Sequence, residues 1–573
     1  MNWNNSFTRK VAYIVAIAIL FLPISYLSLP AAKNAEGLAV PGGMLAKLRQ
    51  EYELSPAELG EIDPAGESMK LALVGLQGVA ANILWDRANY YKKVQDWDKL
   101  EATVQQIIKL QPNFKTVWEF QGHNLAYNVS VEFDNYEHRY AWVKKGTEFL
   151  IQGTHYNSNE PVLLWNVGWY VGQKMGRADE HVQFRRLFRT DTEFHKVFQD
   201  NGVYVDRGLG ADNLPDNWFC GALWQLKAQD AVDSLGKQLR KSPLLFYNQA
   251  GMCKINGAAA MEEEGTLDER AIAAWIEAEK EWERYGAREI LTTWGIKLRM
   301  RDLEAVAEKG ASELAELDSL APGVREQLKA EKLAAVDAPR RRAYDRYIAN
   351  APDLSPEEMQ LAREVEYSLN VANVEIARRA PVENRQKARA IAEELDANAL
   401  LRYRIQNERN IVNYKYWATR CKAEKTPVAI SARQHLFNAQ EAAKRTAYDE
   451  ALREYASAWQ DWAELFTSYE DLVGGGEAQE IADEVEKYIA VLDRADKELP
   501  TDFPLAMLIG KVRQSDLIQE RINRSRDLQK QEEANKAADK KDADEKETTD
   551  KSGDEQKPDE KKLEDKKPEA TSL

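Results

Sequence analysis

Three cysteines in 573 residues, Cys220, Cys253 and Cys421, are too few and odd in number to give a disulfide framework. Each stands alone and reads as a packing residue. Basic charge is also short, since 78 Lys and Arg face 94 Asp and Glu for a formal net charge of -16. That balance opposes a nucleic-acid partner, because a phosphate backbone selects basic surfaces. Arg340-Arg341-Arg342 is a local exception, but no aromatic-plus-basic groove accompanies it. Missing as well are G-x-x-x-x-G-K-[ST], a G-x-G-x-x-G between strand and helix, the G-x-S-x-G elbow and C-x-x-C-H. No catalytic, cofactor-binding or metal-ligating residue is assigned, no cofactor is expected, and the chain is not read as an enzyme.

Histidine is scarce too. Five of the six, His123, His138, His155, His181 and His195, fall within one stretch without forming H-E-x-x-H or another compact ligand motif. Packing, capping or surface roles suit them better than a metal. The acidic run Glu262-Glu263-Glu264 reads as a solvated charge face, because adjacent carboxylates do not define general acid/base chemistry without opposed placement around a substrate.

What is present is a folded composition, 44% hydrophobic and 30% charged, between two unusual ends. Val11 to Leu29 run without a charge behind Arg9 and Lys10. In a helix such a run spans about 28 Å, close to bilayer hydrocarbon. The reading is a retained single-pass anchor, with the lipid bilayer as partner through residues 11-29. The N-terminus would be cytoplasmic and the bulk periplasmic or otherwise extracytoplasmic. A cleaved signal peptide is the alternative, although SLPAAKNAEG lacks a clear A-x-A pair and the run is long for one. At the other end, residues 531-573 hold 10 Lys and 15 acidic residues with hardly any large apolar side chain. Such a tail is expected to stay disordered, having no apolar area to bury against the entropy of ordering.

Between the ends the periodicity is helical. Pro30, Pro41, Gly42 and Gly43 argue for a tether, and Ser55-Pro56-Ala57-Glu58 for a first helix entrance, with longer packing from Met69. In AANILWDRANYYKKVQDWDKLEATVQQIIKLQPN, two amphipathic stretches flank the polar turn KKVQDWDK and end at Pro112. Leu84, Ala88 and Tyr91 share one face, and Leu100, Val104 and Ile107 share the facing one. Further helix entrances stand at Thr266-Leu267-Asp268-Glu269 and Ser355-Pro356-Glu357-Glu358. ARQHLFNAQEAAKRTAYDEALREYASAWQDWAELF reads as a late hairpin, with Ala451, Tyr455 and Ala458 on its second helix.

The 34-residue span from Ala81 to Phe114, with Leu84, Ala88, Tyr91, Leu100, Val104, Ile107 and Pro112 at compatible positions, resembles a tetratricopeptide repeat. Arg87, Leu100 and Ile107 depart from that pattern. Trp118 and Gly122 renew it, as do Trp165, Gly168 and Trp169, and more weakly residues 243-290 and 432-467. More loosely, the anchor, WDRANYYKKVQDWDKL, HNLAYN and NYKYWATRC look like uncharacterised exported planctomycete proteins, which would imply a bacterial cell-envelope component but no reaction. The tetratricopeptide resemblance implies a surface that binds a protein or peptide.

The expected fold class is all-α, with a transmembrane helix, divergent hairpins, further bundle segments and a disordered tail. The expected organisation is 1-29 stub and anchor, 30-68 tether and initial helix, and 69-320 repeat region. A second helical region at 321-473, a glycine junction with terminal helices at 474-530 and the tail at 531-573 follow. Trp85, Tyr90, Tyr91, Trp118, Trp165 and Trp169 are read mainly as packing, with a share for partner contact. The function expected is a membrane-anchored interaction scaffold. A self-assembling, homo-oligomeric envelope protein is the alternative, and an enzyme or ligand sensor a further one; the partner-binding residues are unknown at this point.

Overall fold

In the computed structural model, residues 77-157, 160-506 and 516-551 are described, together with scattered positions before residue 77. Most of the tether, the entrance at Ser55, residues 552-573 and most of Val11 to Leu29 lie outside them. The described chain is almost wholly helical, apart from two small antiparallel pairs, Ala32–Lys33 (β1) with Ala39–Val40 (β2) and Ile290–Leu291 (β3) with Lys297–Leu298 (β4).

The expected membrane anchor requires correction. Among the described residues no helix is long and apolar enough to cross a membrane. The single-pass topology, the bilayer contact through residues 11-29 and the assignment of sides are therefore withdrawn. Crossing needs about 20 predominantly apolar residues in one continuous helix, and most of Val11 to Leu29 lies outside the described residues. The long helices that are described fail this on charge: Arg385–Ile411, at 27 residues, carries ionisable side chains on most of its turns.

The chain divides into two compact units, up to Thr426 and from Pro427 onward. The first unit opens with paired helices. Gln77–Lys93 (α1) packs on Trp97–Leu110 (α2), which starts at the cap Asp96 and stops before Pro112. Leu100, Val104 and Ile107 are fully buried, as their spacing requires, and Ala88 faces them across the hairpin. Lys115–His123 (α3) continues through a π-helical turn at Asn124–Val129 and pairs with Tyr136–Tyr156 (α4), capped by Asn135. Pro161–Trp169 (α5), with proline in its first turn, passes through a second π-helical turn at Tyr170–Lys174. The next arm is two short helices, His181–Thr190 (α6) and Thr192–Asp200 (α7), broken at Asp191, which caps α7.

Asn217–Asp233 (α8) lies against α5 and against Gln249–Glu263 (α10), with the short Pro243–Tyr247 (α9) between them in sequence. Small residues bring α5 and α8 together. A Cβ on Gly221 would sit 2.9 Å from the Gly172 nitrogen and 3.0 Å from the Gly168 carbonyl, both backbone atoms that cannot rotate away. Gly221→Ala should therefore destabilise the first unit by about 1–3 kcal/mol; a urea midpoint equal to that of the unaltered protein would show that the two helices can separate freely.

Glu269–Ala287 (α11) follows, and its cap is Asp268, two positions after the expected Thr266, because the Asp268 carboxylate reaches the Arg270 amide at 2.9 Å. Leu303–Leu320 (α12), Val324–Ala334 (α13), Ala338–Ile348 (α14) and Pro356–Ser368 (α15) come next. The capping box of Ser355 and Glu358 at the start of α15 is present as read. Asn373–Arg379 (α16), Arg385–Ile411 (α17) and Tyr414–Glu424 (α18) close the unit, with α17 packed on α12 and α18 on α11.

In the second unit, Pro427–Lys444 (α19) and Tyr448–Ser468 (α20) form the late hairpin, burying Ala451, Tyr455 and Ala458. Gly476–Arg494 (α21) follows the glycine run. Asp516–Lys551 (α22) then runs well past residue 531, where structure was expected to end. Ile518 and Ile522 near its start are buried, and further on Gln529 pairs with Glu533 within the helix.

Candidate functional site

Rings that are neither buried nor free run across α1, α3 and α5 of the first unit. On α1, Trp85 stands 4.9 Å from Phe120 of α3, centroid to centroid. Three and seven residues further along α3 come His123 and Tyr127, which the helical period sets on the same face and which stack at 4.6 Å. Tyr127 then meets α5: its hydroxyl accepts from the Trp169 indole at 3.1 Å, and Trp169 stacks on Trp165 at 5.1 Å. Except for the more open His123, all are half-buried.

Both π-helical turns belong to this track. Tyr127 lies within the first, and the second begins beside Trp169 and includes Lys174. An inserted π turn rotates the following residues off the helical period, and such turns recur at functional sites. Beside the rings, Asn166 donates to the Glu119 carboxylate at 3.1 Å.

Three lysines lie over the rings. Lys92 is 4.7 Å from the Phe120 centroid, Lys174 is 4.7 Å from Tyr127, and Lys241, from the segment after α8, is 3.9 Å from Trp165. Partial burial lowers the pKa of Lys174 and of Lys241. Partial burial, then Lys92 and Lys174, hold His123 below the ordinary imidazole value. Burial raises the Glu119 carboxyl and pushes the Tyr127 phenol up to about 12, against the pull of the Trp169 hydrogen bond. The surface that results is aromatic, partly desolvated and locally cationic on an acidic protein.

The other residues singled out in the sequence are dispersed. Trp118 is fully buried, stacks on Tyr156 at 5.5 Å and donates to the Pro112 carbonyl at 2.8 Å, so it is core. Tyr90 is exposed and Tyr91 half-buried beside it. His138 meets only the edge of Phe133, His155 pairs with Asn201 at 2.8 Å, His181 with the Ala178 carbonyl at 3.0 Å, and His195 is buried against Phe188. Among the described residues no group of three His, Cys, Asp or Glu side chains is placed to hold a metal ion. All three cysteines are buried and unpaired.

The acidic run at 262-264 is the solvated face expected only in part, since Glu263 and Glu264 are exposed but Glu262 is not. Glu262 is buried and accepts from the Trp275 indole at 2.8 Å. Glu264 accepts from Arg185 at 2.8 Å and also pairs with Arg189. Arg185 in turn reaches Asp216 at 3.0 Å and Asn217 at 3.1 Å, while Asp216, wholly buried, caps α8 through the Trp218 amide at 2.9 Å. This network ties α6, the start of α8 and the end of α10 together. Burial raises the Glu264 carboxyl, but hydrogen bonds and charge from Arg185 and Arg189 outweigh it and leave the group below the ordinary value. A depressed carboxylate contributes stability above its unfolded pKa of about 4.3 and loses it as pH falls through the folded value. The melting temperature gap between the unaltered protein and Glu264→Gln should therefore narrow as pH falls from 7 to 3. Asp216, raised by burial, works with the opposite sign but is common to both proteins. A gap that widens in acid would refute the assignment.

Lys92, Phe120, Tyr127, Lys174 and Lys241 escaped the sequence reading. The recurrence of Phe120, His123 and Tyr127 at helical spacing was a usable signal. Nothing in the order of residues places Lys241 over Trp165. No protein-family model matches the chain, and no curated protein or solved structure matches it either.

Proposed function

We propose that the protein is a helical-hairpin interaction scaffold, tetratricopeptide-like in its first unit, that holds a segment of a protein partner along the ring track of α1, α3 and α5. The observation that carries this reading is two groups of ring contacts, Trp85 with Phe120 and His123 through Tyr127 to Trp169 and Trp165, which the helical spacing of Phe120, His123 and Tyr127 sets on one face. Rigid aromatic side chains supply contact area at little entropic cost, and amphipathic ones tolerate both water and a partner. Hairpins packed on their neighbours keep such side chains in register, so an extended chain meets several at once.

The test is site-specific photo-crosslinking in cells. A benzophenone amino acid replacing Trp169 should yield adducts with one recurring polypeptide. The same group at Tyr367, which is 86% exposed but remote in sequence from the track, should not. Equal adduct patterns from the two positions, or none from Trp169, would sink the reading.

A further inference from the structure

We infer that the track takes an acidic peptide, an extended segment whose carboxylates are received by Lys92, Lys174 and Lys241. This deepens the reading above and rests on it. Several other lysines of the same unit have carboxylate partners: Lys144 with Asp191 at 2.9 Å, Lys145 with Glu101 at 3.1 Å, Lys254 with Glu281 at 3.6 Å, and Lys115 with Glu160, while half-buried Lys227 donates to the Asn201 carbonyl. Among the described residues no ion pair engages Lys92, Lys174 or Lys241, although acidic residues outnumber basic ones in the chain. Each instead lies over a ring, at 4.7, 4.7 and 3.9 Å. Partial desolvation of an ammonium without a counter-charge is unfavourable, and a ring face offsets only part of it. A carboxylate arriving from outside completes the compensation.

The acids that face these lysines do not fill that place. Glu119 acts on Lys241 from a distance, is hydrogen-bonded to Asn166 and is raised by its own burial. Glu180 acts on Lys174 but is paired with Arg139, and Asp179 is exposed. The cations are also distributed and not gathered at one point, since they lie over rings of α3 at two positions and of α5 at one. Neighbouring helix axes lie about 8–10 Å apart, so the step from α3 to α5 alone matches about three residues of extended chain. That spread favours a peptide bearing several carboxylates over a single small anion.

The experiment is selection of random dodecapeptides displayed on phage against the full chain, followed by fluorescence anisotropy of the enriched peptides made synthetically. Acidic sequences should be enriched, their binding should weaken as salt rises, and Lys92→Gln, Lys174→Gln and Lys241→Gln together should cost at least about tenfold in affinity. The matching Lys→Arg protein should retain most of it, and circular dichroism should show both variants folded. Enrichment of neutral or basic peptides whose binding is lost in Trp169→Ala would overturn the acidic specificity while leaving the track as a peptide site. Displacement of the peptides by inorganic phosphate beyond that by chloride at equal ionic strength would reassign the lysines to a phosphate group and also overturn it. No enrichment sensitive to Trp169→Ala would overturn both readings.

Discussion

Trp118→Ala should lower the stability of the hairpin formed by α3 and α4 by about 3–5 kcal/mol, the usual cost of emptying a fully buried tryptophan site. The indole is wholly buried, packs 4.8 Å from Phe149 and 5.5 Å from Tyr156, and holds the Pro112 turn through its Nε1 hydrogen bond. Gly153 is the residue that makes room for it, since a Cβ there would lie 2.8 Å from the ring. Because units in hairpin arrays contact mainly their neighbours, the loss should be local. Hydrogen exchange should therefore quicken over residues 77-156 while Arg385–Ile411 keeps its protection. Uniform loss of protection throughout the first unit would mean that it unfolds as one block. Trp118→Phe should recover part of the packing but not the hydrogen bond.

Arg185→Ala should be comparably severe, at about 3–5 kcal/mol, for an electrostatic reason. Arg185 and Asp216 are both buried, with side chains 3% and 0% exposed. Removing one partner of a buried pair leaves the other charge uncompensated in a poorly solvating interior. Arg189 touches the same Asp216 oxygen at 3.5 Å and can replace only part of the interaction. Arg270→Ala is the matching control, because its pair with Asp268 at 2.7 Å lies in solvent and should leave the urea midpoint unchanged. If Arg185→Ala unfolds within about 1 kcal/mol of the unaltered protein, the buried network is not what joins α6, α8 and α10. The second substitution Asp216→Asn made together with Arg185→Ala should recover stability relative to Arg185→Ala alone, since no charge is then stranded.

Much of the local structure was legible. The 3.6-residue period placed α1 and α2 on either side of Asp96, and the burial of Leu100, Val104 and Ile107 follows from their spacing. The capping box at Ser355 was readable for the same reason, since both of its hydrogen bonds lie within four residues. Two expectations failed through considerations that periodicity does not weigh. The uncharged run at Val11 to Leu29 had the length of a membrane span, but among the described residues no helix is long and apolar enough to cross one. The charged segment after Gln531 has hardly any large apolar side chain, yet α22 continues into it as far as Lys551, because a helix already begun needs only one further residue fixed per added hydrogen bond. Thr266 was two positions further from the helix than the cap requires, since Asp268 reaches the orphan amide first.

The candidate site was legible only in fragments. Trp85, Trp165 and Trp169 could be singled out, but so could Trp118, and the sequence offers no means of telling the core indole from the three that reach the surface. Glu264 looked solvated until Arg185 and Arg189, more than 70 positions away, were found on it.

By itself, then, the amino-acid order determined which residues share a helix face, where some of the helices start and stop, and that the chain is strongly acidic. These depend on spacings of a few residues and on summed charge. Only the tertiary structure decided that Phe120, Tyr127, Trp169 and Trp165 form one track, that Lys241 lies over Trp165, and that Arg185 and Asp216 neutralise each other in the core. Those are meetings between faces of different helices. Which faces meet is settled by close packing, with glycines such as Gly168, Gly172 and Gly221 setting how near two backbones come.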